Sequence, residues 1–205
     1  MTNALFRRTV IPALGFLLMT VAGCAGSTPS RFYQLSSLKT ESAIVKDNSH
    51  GERVAVAIGP LRIPDYLERP QIVTLSGANE VRLAEFDRWA GSLEKDIVRA
   101  LTEDISALLP PGRFYVMPWI STPQAASPSL YRVEVNIFRF EGTPGGHVLL
   151  KAQWAVVHRE KGMLFRRESN IREEVSDPTY KAFVAALSKT IVGLGRDISD
   201  AITSL

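Results

Sequence analysis

The 205-residue chain has one cysteine, Cys24, and three histidines. A single cysteine excludes any disulfide within the chain, so the fold must be stabilised by its apolar core. His50, His147 and His158 form no His-x-x-x-His or His-Glu-x-x-His pair, so zinc-ligand spacing is lacking. The sequence also lacks the Gly-x-Ser-x-Gly pattern of a serine hydrolase. We therefore expect no enzyme activity, no metal and no cofactor.

The chain also lacks a strong charge surplus. It has 24 Lys and Arg residues against 21 Asp and Glu residues. Arg7 and Arg8 lie in the first 23 residues, which contain no acid, so removal of that segment leaves 22 bases against 21 acids. A nearly neutral domain offers no electrostatic basis for binding nucleic acid.

The N-terminal apolar run is too short to span a membrane. It extends from Val10 to Ala22 and follows the two arginines. As a helix it would measure roughly 20 Å, against about 30 Å for a hydrocarbon core. The sequence therefore predicts a secretion signal over residues 1–23.

Cys24 ends the sequence Val21-Ala22-Gly23-Cys24, which resembles the lipobox of bacterial lipoproteins. This resemblance implies cleavage before Cys24, with diacylglycerol on its sulfur and an acyl chain on its amine. Two or more chains anchor a protein stably, whereas a single chain binds reversibly. The alternative is a buried or free thiol beside an ordinary signal sequence.

Residues 24–30 are expected to form a lipidated tether before a single domain at 31–205. The six residues from Ala25 to Ser30 carry no large apolar side chain. Fully extended they reach only about 20 Å, so the folded body should stay close to the membrane. Ala25, in place of aspartate after the cysteine, resembles the sorting signal of outer-membrane lipoproteins.

Alternating apolar residues and turn signals predict the strands. Strands are expected near 32–35, 54–58, 72–75, 80–83, 114–117, from 130, 148–156 and 163–175. The second should end at Gly59-Pro60, and 72–83 should form a hairpin. Phe138 and Phe140 reverse the alternation of the strand that begins at Leu130, which indicates a bulge or a strand covered on both faces. Polar connections are expected over 39–52 and 121–129.

Two segments have the apolar spacing of amphipathic helices. Ser92 is expected to cap a helix over about 92–109. Asp177 and Pro178 are expected to begin a second helix over about 178–203. The predicted fold class is α+β, with a mainly antiparallel sheet packed against the two helices.

Four segments, called here the signature segments, resemble the PqiC-type family of ABC-type transport auxiliary lipoproteins. They read Arg-Phe-Tyr-Gln-Leu at 31–35, Ile-Gly-Pro-Leu-Arg-Ile-Pro-Asp-Tyr-Leu-Glu-Arg-Pro-Gln-Ile-Val at 58–73, Leu-Ala-Glu-Phe-Asp-Arg-Trp-Ala at 83–90 and Phe-Arg-Phe-Glu-Gly-Thr-Pro-Gly-Gly at 138–146. The resemblance covers nearly the whole mature chain.

The resemblance implies a lipoprotein that is anchored in the outer membrane and faces the periplasm. Its implied partners are an MCE-domain protein, which forms a hydrophobic conduit for lipids, and inner-membrane transport components. It further implies a homo-oligomeric ring at the end of that conduit. These are expectations from the family and do not follow from composition or spacing.

Five residues are candidate contacts to a partner or another subunit: Tyr66, Arg69, Trp89, Phe138 and Phe140. Tyrosine and arginine are enriched at interfaces. Structural roles remain open for all five: a turn with a buried tyrosine at 65–67, a core position for Trp89, and a two-sided core for the phenylalanines. Two other functions also remain open, a passive envelope scaffold and an envelope hydrolase.

Overall fold

The computed structural model describes residues 28–38, 54–77, 79–119 and 130–205. Cys24, most of the predicted tether and the connections predicted at 39–52 and 121–129 lie outside these ranges. The eight strands are β1 (Arg31–Tyr33), β2 (Val54–Arg62), β3 (Gln71–Leu75), β4 (Val81–Trp89), β5 (Phe114–Pro118), β6 (Leu130–Gly142), β7 (His147–His158) and β8 (Gly162–Glu174).

The two helices confirm the predicted α+β class. Helix α1 runs Leu93–Leu108, and the Ser92 side chain accepts a hydrogen bond from the Lys95 amide, as a cap should. Helix α2 runs Tyr180–Thr203. Its cap is Thr179, whose hydroxyl accepts from the Ala182 amide at 3.2 Å. The expected cap at Asp177 was wrong, because that carboxylate instead accepts from the Thr179 amide at 2.9 Å and orders the turn before the helix.

The strands form two sheets of mixed direction. The small sheet has the order β1-β4-β3 and the large sheet the order β5-β2-β6-β7-β8. The pairs β3-β4, β6-β7 and β7-β8 are antiparallel, and the last two contain the longest strands. The pairs β1-β4, β2-β5 and β2-β6 are parallel. Parallel pairs join strands that are distant in sequence, so no hairpin signal predicts them.

Strand β2 continues through the Gly59-Pro60 pair, where the sequence predicted its end. The register against β6 shifts between Ile58 and Leu61, and the peptide between Gly59 and Pro60 is cis. Gly59 has φ +125°, a conformation that a residue with a side chain rarely adopts. An irregularity at these two residues thus carries the strand past a dipeptide that normally breaks one.

A bulge at Phe138 confirms one of the two explanations for the reversed alternation in β6. Ile137 pairs with Ala152 and Arg139 pairs with Lys151, so Phe138 is an extra residue. After the bulge, Phe140 pairs with Leu150 and is only 2% exposed. The bulge thus returns alternate residues of β6 to the core.

The main core lies between the large sheet and the helices. Helix α2 packs on β7 and β8, and α1 packs on α2, β5 and β2. A chain of polar contacts joins β7 and β8 to α2: the buried Trp154 indole donates to the buried Ser169 hydroxyl, which donates to the exposed Asp197 of α2. These bonds satisfy the two buried donors and add a polar contact to the apolar packing of α2 on the large sheet.

Substitution of Gly142 by alanine should destabilise the fold. An added Cβ would lie 2.1 Å from the His147 carbonyl oxygen and 2.6 Å from the Val148 Cα, both backbone atoms of the paired strand. We expect Gly142→Ala to lower the free energy of unfolding by about 1–3 kcal/mol, as overpacking typically does. Urea unfolding measures the change. Gly91→Ala is the control, because a Cβ there meets no atom within 4 Å; equal effects of the two variants would contradict the prediction.

Candidate functional surface

The signature segments meet at the junction of the two sheets. Between β2 and β3 the chain makes a short 3-10 turn, Asp65–Leu67, in which Leu67 is buried. Pro70, at the end of this segment, accepts a hydrogen bond from the Trp89 amide of β4 at 2.7 Å. The segment therefore connects the large sheet to the small one.

Tyr66 fastens this turn to β6. Its hydroxyl donates to the Glu141 carboxylate at 2.6 Å, and the same carboxylate accepts from the Phe140 amide at 2.8 Å and the Arg139 guanidinium at 2.7 Å. Glu141 is 2% exposed, and its charge is balanced by Arg139, whose side chain is 45% exposed. One buried carboxylate thus joins two signature segments.

Burial and the hydrogen bond to Glu141 raise the pKa of Tyr66 well above its ordinary value. Both causes disfavour a tyrosinate beside a carboxylate. The phenol therefore stays protonated and continues to donate to Glu141 throughout the neutral range.

A second buried carboxylate, Asp87 of β4, holds β1. It is 4% exposed and accepts a hydrogen bond from the Tyr33 hydroxyl at 2.7 Å. Arg31 places its guanidinium on both carboxylate oxygens, at 2.9 and 2.8 Å. Because β1 contributes only three residues to the sheet, this side-chain cluster supplies much of its attachment.

The chain after β1 is fastened along α1. The Leu35 amide donates to Asp96 at 2.7 Å and the Leu38 amide donates to Asp104 at 2.6 Å. Arg99 donates to both Asp96 and the Leu35 carbonyl. Residues 34–38 pair with no strand, so these side chains satisfy backbone groups that a sheet would otherwise satisfy.

Asp104 is fully buried, and burial raises its pKa despite the hydrogen bond from Leu38. Its second oxygen, Oδ2, has no hydrogen-bond partner in the described part of the chain. Burial penalises the charged form, so Asp104 holds its proton more tightly than an exposed aspartate does. Asp104 thus serves as an internal fastening of the 34–38 segment.

The structure divides the five predicted contact residues. Trp89 and Phe140 are 6% and 2% exposed, so both belong to the core and are not available at the surface of this fold. This agrees with the structural roles that were left open for them. Tyr66 and Arg69 are half-buried, while Phe138 is 44% exposed. A partner contact therefore stays a prediction for Tyr66, Arg69 and Phe138.

Sequence reasoning missed Asp87 and Glu141, the two acids that fasten the signature segments. Each stands among aromatic and apolar residues of a strand, in Glu-Phe-Asp-Arg-Trp and Phe-Arg-Phe-Glu-Gly. A carboxylate in that setting is unusual unless it is paired. Arg139, two positions before Glu141 in the same strand, was a signal for that ion pair. Asp87 pairs with Arg31, 56 positions away, so the sequence around Asp87 gives no such signal.

The described histidines have structural surroundings. His158 is 8% exposed, and its Nδ1 accepts hydrogen bonds from the Glu160 and Lys161 amides in the β7–β8 turn. His147 begins β7. In the ranges that the structure describes, no three His, Cys, Asp or Glu residues cluster in a way that could hold a metal ion. The helices of these ranges are also not long and apolar enough to cross a membrane.

Comparison with known proteins establishes the class. Residues 33–199 match the model of the ABC-type transport auxiliary lipoprotein component family. The match begins at the last residue of β1 and ends four residues before the end of α2. The chain therefore belongs to this family, as the signature segments predicted.

Similar individual proteins agree with this assignment. The chain is 23% identical over 169 residues to the intermembrane transport lipoprotein PqiC of Escherichia coli, covering 82% of this chain and 84% of that one. The PqiC of Shigella flexneri matches equally well. A crystal structure of an uncharacterized protein superposes with a TM-score of 0.67 at 19% identity, over 85% of this chain and 99% of that one. A second, from Xanthomonas campestris, gives 0.61 at 12% identity, over 82% and 92%. These structures support the fold.

Replacing Asp87 by asparagine should loosen β1 selectively. The neutral amide loses the ion pair with Arg31 and accepts from Tyr33 more weakly. We expect amide hydrogen exchange of residues 31–35 to accelerate severalfold while that of β6 to β8 is unchanged. Glu85→Gln removes an exposed charge from the same strand and is the control. Unchanged exchange of β1 in Asp87→Asn would show that backbone pairing alone holds the strand.

Stability should fall at alkaline pH in a way that depends on Tyr66. A raised pKa means that the folded state binds the proton more tightly than the unfolded state. The resulting stability is complete below the ordinary tyrosine pKa of 10.0 and is lost as the pH rises above it. Tyr33, whose pKa is also raised by burial and by Asp87, acts in the same direction.

Tyr66→Phe should therefore reduce, without abolishing, the loss of unfolding free energy above pH 10.0. Urea unfolding at a series of pH values measures this slope. Tyr115→Phe, at an exposed position on β5, is the control and should leave the slope as it is. The prediction fails when the two variants have the same slope.

Proposed function

We propose that this protein is a lipoprotein subunit of an MCE-type intermembrane lipid transport system, anchored in the outer membrane through Cys24 and facing the periplasm. The observation that carries the proposal is the family match, which covers residues 33–199. A relative that aligns with 82% of this chain is named an intermembrane transport lipoprotein.

The placement of β1 supports anchoring close to the membrane. The described fold has its first strand residue at Arg31, seven positions after Cys24. The tether of about 20 Å leads directly to the residue that is paired with Asp87. A lipidated Cys24 would therefore hold a firmly attached strand, and with it the whole body, near the bilayer surface.

The buried acids of the described structure have structural roles. The half-buried Tyr66 and the buried Asp87, Glu141 and Asp104 each hold a neighbouring chain segment. Acids in such bonds fasten structure and are poorly placed to act on a substrate. On the strength of the family match, the proposed role is docking at the end of an MCE conduit, in which copies of the chain assemble as a homo-oligomeric ring. Inner-membrane transport components would act at the other end.

The test separates anchoring from docking. The full-length protein and its Cys24→Ser variant are expressed with the candidate MCE-domain partner and labelled metabolically with palmitate. We expect the wild type to carry label, fractionate with the outer membrane and retain the partner in mild detergent, as seen by native mass spectrometry. Cys24→Ser should lose the label, because it has no sulfur for diacylglycerol, and should still bind the partner after solubilisation.

Ser30→Ala, in the same tether, is the matched control and should behave as the wild type. Label retained by Cys24→Ser would refute the anchor. A strictly monomeric wild-type protein that never binds the MCE-domain partner would refute the transport role and favour a passive envelope scaffold.

A further inference from the structure

The small sheet exposes apolar side chains in the part of the molecule nearest the tether. Phe32 of β1 is 65% exposed, and Val81 and Leu83 of β4 are 46% and 47% exposed. Phe32 is the most exposed of the large apolar side chains in the described ranges. Large apolar side chains left in water in this way commonly mark an interaction site.

The register places these three side chains on one side of the sheet. Phe32 pairs with Arg88, which pairs with Gln71, so these residues share a side. Two positions after Gln71, Val73 points the same way and pairs with Leu83. Val73 itself is 4% exposed, so this side of the sheet is covered at β3 and open at β1 and β4. Leu83 and Arg88 are five positions apart in β4, whereas their partners Val73 and Gln71 are two positions apart in β3. The extra residues form an irregularity in β4, so Leu83 and Arg88 point to the same side of the sheet. Val81 lies two positions before Leu83 in the same strand, so its side chain points to this side as well.

The opposite side of the small sheet is occupied by the protein itself. Tyr33 and Trp89 pair there, next to the buried Asp87, and Trp89 is 6% exposed. The side with Phe32 is therefore the outer face along β1 and β4. We call the exposed side chains Phe32, Val81 and Leu83 the outer apolar face.

Phe32 is held in place rather than carried on a loose arm. Its two neighbours both bond to Asp87, and the Tyr33 carbonyl accepts from the Ala90 amide at 2.9 Å. The direction of the Phe32 side chain is thus set by β4. An exposed aromatic ring on a fixed strand loses little conformational freedom when it binds.

The tether identifies what this face meets. Phe32 lies eight positions after Cys24, and the extended tether spans only about 20 Å. An aromatic ring near an acylated residue is well suited to the boundary between headgroups and acyl chains. Resting on the lipidation of Cys24 proposed above, we infer that the outer apolar face lies against the bilayer that holds the anchor, with Phe32 inserted at its surface.

The single cysteine makes a clean test possible. If the Cys24 sulfur is acylated, a cysteine introduced elsewhere is the sole free thiol of the mature chain. Full-length Phe32→Cys and Met163→Cys are labelled with the environment-sensitive dye NBD and reconstituted into phosphatidylethanolamine and phosphatidylglycerol vesicles. Met163 is 50% exposed at the start of β8, in the other sheet, and is the matched control.

We expect the NBD emission at position 32 to shift to the blue and rise severalfold on vesicles. Lipids with a nitroxide near the headgroup should quench it, while the label at position 163 stays aqueous and unquenched. The inference would be overturned if the labelled Phe32→Cys protein floats with the vesicles but its NBD emission stays that of a label in water. A blue shift that nitroxide lipids do not quench would overturn it too, because a protein partner or second copy would then cover the face. Equal quenching at both positions would also overturn it.

Failure of the anchor is seen separately. Wild-type protein that takes up the dye has a free Cys24 thiol, and wild-type protein that does not float with vesicles has no membrane anchor. Either result would refute the proposed lipidation, and with it the inference that rests on it. A third result separates the two proposals. If the wild type takes up no dye and floats with vesicles, while the label at position 32 of the Phe32→Cys variant stays aqueous, the anchor stands and only the membrane-facing role of Phe32 is refuted.

Discussion

The attachment of the small sheet to the rest of the protein depends on two buried carboxylates. A sheet of three strands, of which β1 has only three residues, is at the limit of what is stable by itself. Glu141 holds the turn that leads into β3, through Tyr66, and Asp87 holds β1, through Arg31 and Tyr33. Each acid is nearly inaccessible to water and has both a cationic and a phenolic partner. The removal of one partner would leave a buried charge poorly compensated, so these clusters are sensitive points of the fold.

The two carboxylate clusters bring together signature segments that are far apart in sequence. The turn at 65–67, the Glu-Phe-Asp-Arg-Trp strand and the bulged end of β6 each supply one part of the junction between the sheets. The bulge at Phe138 lets Phe140 enter the core while Arg139 and Glu141 face Tyr66. Without the extra residue, these side chains would be on the opposite faces.

The elements with strong periodicity were predictable from the sequence, and their pairing was not. The apolar spacing of α1 and α2, the cap at Ser92 and the antiparallel hairpins depend on local signals. The parallel pairing of β2 with β5 and β6 depends on contacts between distant segments. Asp177 and Thr179 both accept a hydrogen bond from a backbone amide in the structure. The sequence alone does not show which of two such side chains caps the helix, and the predicted cap was therefore two residues too early. For the candidate site, the sequence located the signature segments but left both a contact and a core role open for Trp89 and Phe140. An aromatic residue in a strand is compatible with either position, and the structure places both residues in the core.

The position of Asp87 links the fold to the proposed anchor. Any force between the membrane and the folded body would enter the described structure at β1, whose hydrogen bonds to β4 are few. Arg31, the first residue of that strand, is also the residue paired with the buried carboxylate. The next segment, 34–38, is held by Asp96 and Asp104 of α1, which packs on α2 and the large sheet. A load on the tether would therefore pass from Arg31 to β4 and from the 34–38 segment to the main core. A strand of three residues can serve as an attachment point only because side chains on two other elements share that load.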